Sequence, residues 1–81
     1  MDAPTILNAS AVGPYQLRVV WMDGPTNLID MEHVISTRQE LRPLRNLAKF
    51  KDLELVRDGL AIEWFGVRLN SDELWKIAER S

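Results

Sequence analysis

Two Asp-Gly pairs constrain this chain more than anything else in it. Asp23-Gly24 is followed by Pro25, and Asp58-Gly59 sits between "LELVR" and "LAIEW". An Asp-Gly pair between alternating apolar runs is a strong hairpin signal, because a type I′ turn needs positive φ at two successive residues. The flanks support the reading. In "YQLRVVWM", Tyr15, Leu17, Val19 and Trp21 fall on one face at period two, with Gln16 and Arg18 on the other. Residues 5–12, "TILNASAV", read as a preceding strand with imperfect alternation, broken by Gly13-Pro14. "TNLID" reads as a strand returning from the first Asp-Gly turn. Three strands joined by tight turns predict an antiparallel meander.

The second half repeats this logic. Leu60, Ile62 and Trp64 are expected on one face of a strand, with Ala61 and Glu63 on the other. Gly66 predicts a bulge or bend before "VRL". Asn70, with Glu73 three residues on, predicts a helix start of capping-box type. Leu74, Ile77 and Ala78 form the apolar stripe of that helix, widened by Trp75. Between the halves the helices are short. Asp30 is expected to cap "MEHVIS", Pro43 stops any long helix through "RQELRPL", and Asn46 is expected to cap "LAKFK", with Leu47 and Phe50 on one face.

With 81 residues, the chain reads as one domain, 1–81. The fold class is α+β: an antiparallel sheet of five or six short strands, short helical turns and a C-terminal helix packed on it. Its 46% hydrophobic and 27% charged content is that of a globular protein. There is no cysteine, which excludes disulfides, thiolate metal sites and a cysteine nucleophile. No apolar run reaches the roughly 20 residues that span a bilayer. "MDAPTILNAS" begins with an acid rather than a basic signal region. These features together predict a cytoplasmic protein.

The residues that carry the pattern, taken in order, resemble a family. They are an alternating strand, "DG", a strand ending in Asp30, a polar middle with Phe50, a second "DG", then "IEW", "GVRL" and "SDELW". Over residues 8–75 this resembles the bacterial domain-of-unknown-function family 2442. That family usually has proline directly after the tryptophan, where this chain has Phe65. The resemblance implies a small α+β domain and no established activity. Some relatives carry a following helix-turn-helix domain. Others sit beside a second small protein, as toxin–antitoxin pairs do. The resemblance thus implies an interaction module.

No catalytic motif stands in the chain. His33 shares a helical face with Asp30 but lacks the distant partners a metal site needs. Asp72 and Glu73 sit where a helix N-terminus favours negative charge, and Asp23 and Asp58 are turn formers. No "GxSxG" surrounds Ser10, Ser36, Ser71 or Ser81, and no glycine-rich phosphate loop is present. The chain reads as non-enzymatic and without a cofactor.

Charge is unevenly distributed. Residues 38–51 hold Arg38, Arg42, Arg45, Lys49 and Lys51 against Glu40 alone, a net of +4 within a chain of net −2. Arginines here suit bidentate contact with carboxylate or phosphate. With Phe50 the one aromatic in the segment, base stacking has little support. The candidate contact residues are therefore Trp75, Arg38, Arg42, Arg45 and Lys49. The expected partner is a protein. The alternative is a nucleic-acid-associated regulatory accessory using residues 38–51. Open edges of a meander also allow a homodimer.

Overall fold

The computed structural model describes residues 4–64 and 66–80. Six strands form two three-stranded antiparallel sheets, each in sequence order, rather than one continuous sheet. The first comprises β1 (Ile6–Gly13), β2 (Gln16–Trp21) and β3 (Thr26–Asp30). The second comprises β4 (Glu54–Val56), β5 (Ala61–Trp64) and β6 (Val67–Asn70). Between them lie α1 (Glu32–Thr37), a 3-10 helix (Gln39–Arg45) and α2 (Leu47–Lys51). Helix α3 (Ser71–Arg80) follows β6 directly. The expected α+β class, with antiparallel hairpins and a C-terminal helix, is what the structure shows.

The imperfect alternation of the first strand has a geometric cause. Ile6 pairs with Trp21 and Asn8 with Val20, so Leu7 is an extra residue; Val12 is another between Ala11 and Gly13. Bulges of this kind break period two and turn the extra side chain outward. Leu7 and Val12 are accordingly exposed. Tyr15, expected on the inner face of β2, lies just before the strand in the turn of the first hairpin, with φ of 59°, and its side chain still packs against the core.

The second Asp-Gly pair forms the predicted turn inside a longer connection. Leu60 N–H donates to the Arg57 carbonyl at 3.2 Å. The two central residues, Asp58 (φ 58°, ψ 35°) and Gly59 (φ 89°), both have the positive φ of a type I′ turn. Strand pairing stops at Val56 opposite Ala61, so Arg57 and Leu60 leave the ladder. Leu60 is exposed, contrary to the expected Leu60–Ile62–Trp64 face, and Ala61 is buried in its place. Gly66 (φ 76°) lies in the tight connection between Trp64 and Val67, which pair across the β5–β6 hairpin. The expected Phe65 departure lies outside the described residues.

One continuous core collects side chains from both sheets and every helix. It includes Leu17, Val19, Trp21, Ile29, Met31, Ile35, Leu41, Leu44, Phe50, Ile62, Trp64, Leu69, Leu74 and Ile77. Buried indoles need a partner for their N–H. Trp64 finds it in the Phe50 carbonyl at 2.8 Å, and Trp21 in Asn27 Oδ1 at 2.7 Å. Asp30 accepts the Glu32 N–H at 3.0 Å, although the helix boundary falls one residue later, at Met31. Asn46 caps α2 as expected, accepting from Ala48 and Lys49. Leu47, expected to share the Phe50 face, is exposed. No helix among the described residues is long and apolar enough to cross a membrane.

Candidate functional site

The 3-10 helix at 39–45 arranges the basic segment. A 3-10 helix has three residues per turn, so residues i and i+3 eclipse one another. Leu41 and Leu44 therefore point together into the core, both fully buried. By the same spacing Arg42 and Arg45 line up along an adjacent face and remain exposed. The two arginines, with Ile35 and Ser36 from the end of α1, line an open hollow of about 400 Å³. No carboxylate lines it among the described residues.

Arg45 is held in place on two sides. Its guanidinium lies over the Tyr15 ring, 5.5 Å from the centroid, and Nη1 donates to Ser36 Oγ at 3.1 Å. Tyr15 is itself tied down. Its hydroxyl donates to the Arg45 carbonyl at 2.7 Å, and its ring meets Phe50 edge-on at 5.9 Å. A bulky residue at positive φ is unusual and persists where its surroundings hold it there. At Tyr15 the cost supports the platform under Arg45.

The other expected contact residues are placed elsewhere. Arg38 turns to α3, where Nη1 donates to Glu73 Oε2 at 2.6 Å, both side chains being 39% exposed. Glu73, expected to reciprocate in a capping box with Asn70, thus tethers Arg38 to the C-terminal helix. Lys49 is exposed on α2, outside the lining of the hollow. Trp75 is half-buried, its ring edge-on against Trp21 at 5.0 Å and 88°. Such pairs contribute about 0.5–1.5 kcal/mol beyond the area they bury. Trp75→Ala is therefore expected to lower the unfolding free energy by about 2 kcal/mol, measured by urea titration. A variant as stable as the wild type would make the indole a surface group.

A second, more polar hollow of about 250 Å³ is lined by Asp52, Glu54, Glu63, Trp64 and Gly66. Glu54 stands directly opposite Glu63 across the β4–β5 ladder. Like charges so placed repel, and Arg68 relieves this by donating to Glu63 Oε2 from Nε (3.1 Å) and Nη2 (2.7 Å). Among the described residues no group of three or more His, Cys, Asp or Glu is placed to hold a metal ion.

Sequence reasoning singled out the basic segment but not Tyr15 or Ser36. The signal for the grouping was present in "LRPLR", whose three-residue repeat suits a 3-10 turn better than an α-helix. Neither a family model nor a curated protein nor a solved structure matches the chain.

Proposed function

We propose that the protein is a non-catalytic interaction module that docks an acidic segment of a partner protein in the Arg42–Arg45 hollow. The observation that carries this reading is the alignment of two arginines beside one hollow, with Arg45 already ordered by Tyr15 and Ser36. Ordering matters because a side chain already fixed loses less entropy on binding. The guanidinium fork suits bidentate contact with carboxylate or phosphate. Arg38, paired with Glu73, is not among the residues that line the hollow. A nucleic-acid role has less support: the chain is acidic overall, and no described aromatic lines the hollow to stack a base.

The test is a tagged capture from the native host at low salt, with wild type and Arg42→Glu/Arg45→Glu side by side and a nuclease-treated control. The wild type is expected to retain one stoichiometric protein after nuclease. The double variant, with its far-UV spectrum unchanged, is expected to lose it by at least about tenfold. Retention of the partner by the folded double variant contradicts the reading. Recovery that vanishes with nuclease moves the role to nucleic acid.

A further inference from the structure

We infer that the group the Arg42–Arg45 hollow takes is a phosphate monoester, carried on a phosphorylated side chain of the partner protein. This rests on the docking reading above and names the chemistry of the docked residue. Charge comes first. The hollow offers two permanent positive charges, and no carboxylate lines it among the described residues. A carboxylate brings only one negative charge, so an acidic segment would have to seat two carboxylates in the one hollow to balance both guanidiniums. A phosphate monoester brings about −1.5 to −2 and three acceptor oxygens, enough for both.

Donor geometry agrees. Arg45 spends one N–H on Ser36 Oγ, which leaves the rest of its fork for a ligand. Ser36 accepts that bond through its oxygen, so its own O–H remains to donate. The Arg42 side chain has no hydrogen-bond or ion-pair partner among the described residues. Arg42, Arg45 and Ser36 thus line one hollow whose remaining lining residue is Ile35, a side chain that adds no competing acceptor. A nucleic-acid phosphodiester carries one charge per phosphate and needs stacking or a longer basic track to bind well, and the hollow has neither.

The experiment titrates 15N-labelled protein with N-acetyl-phosphoserine amide, N-acetyl-glutamate amide and inorganic phosphate, reading the amide signals of residues 35–45. The phosphoserine derivative is expected to shift Ser36, Arg42 and Arg45 saturably. It should bind about tenfold more tightly than the glutamate derivative, and no more weakly than inorganic phosphate. Arg42→Lys keeps the charge and removes the fork, so the preference over glutamate should shrink while the remaining spectrum stays in place.

Equal binding of the phosphoserine and glutamate derivatives overturns the phosphate inference and leaves the docking reading standing. Tighter binding of inorganic phosphate than of the phosphoserine derivative overturns the partner-borne part and makes the hollow a free-phosphate site. The absence of saturable shifts from any of the three overturns the inference outright. Failure of the docking reading looks different: the partner is then still captured by the Arg42→Glu/Arg45→Glu variant.

Discussion

Gly59→Ala is expected to cost about 3–5 kcal/mol and to lower the melting temperature by about 15–30 °C. Two causes coincide at this residue. Its φ of +89° is one that a side chain rarely adopts. An added Cβ would also lie 2.3 Å from the Ile6 carbonyl oxygen and 2.6 Å from Thr5 Cγ2. The first obstacle is backbone and cannot swing away. Moving it would disturb the pairing of Ile6 with Trp21 and the bond from Met22 N–H to the Thr5 carbonyl at 2.7 Å. Gly59 is thus the point where the β4–β5 turn presses on the start of β1. Gly24 is the natural control, since its φ is +113° but nothing lies within 4 Å of an added Cβ. Gly24→Ala should cost only the backbone term, about 1–2 kcal/mol. Thermal melts of both variants test this; equal losses would show that crowding at Gly59 contributes nothing.

Trp21→Ala is the second large effect, about 3–5 kcal/mol. The indole is fully buried, donates to Asn27 and takes the edge-on contact of Trp75. Its removal opens a cavity, leaves Asn27 Oδ1 without its partner and takes away the surface on which Trp75 rests. In a domain of this size that is much of the total stability. The account also predicts coupling. Once Trp21 is gone, Trp75→Ala should cost less than it does in the wild type, by about 0.5–1.5 kcal/mol in a double-mutant cycle. Strictly additive losses would contradict the ring contact.

Much of this fold is legible in the residues because its turns are local. The Asp58-Gly59 turn and the Asn46 cap follow from chemistry within four residues, and α3 starts at Ser71, directly after the expected Asn70, whereas at the first Asp-Gly pair only Gly24 takes positive φ. What stayed hidden depends on distant partners. Alternation implied one sheet, whereas residues 32–51 separate the strands into two, which meet through the shared core and where the Gly59 turn packs on the start of β1. Tyr15 continues the apolar pattern of β2, yet it sits in the turn because Arg45 and Phe50, thirty and more residues away, give its hydroxyl and ring their contacts. Leu60 likewise continues a pattern and is turned out by the extra loop residues.

The candidate site was half visible. Net charge located the segment, but not which cations act together. Arg38 is withdrawn by Glu73 on α3, a contact across 35 residues that no local pattern announces. Arg42 and Arg45 are joined by the three-residue period of the 3-10 helix, which the buried Leu41 and Leu44 set from the other side. Ser36 enters because α1 ends beside that helix. Trp75 was read as a contact residue from its place next to the apolar stripe; its ring rests on Trp21.

The most direct measurement is an amide-shift map of the 15N-labelled protein bound to the partner that the wild type captures. The account predicts that the largest shifts cluster at Tyr15, Ser36, Arg42 and Arg45. The outer face of β1–β3, with the exposed Leu28, should be little changed. Shifts centred on that face or on Leu60, with the arginine hollow unperturbed, would contradict it.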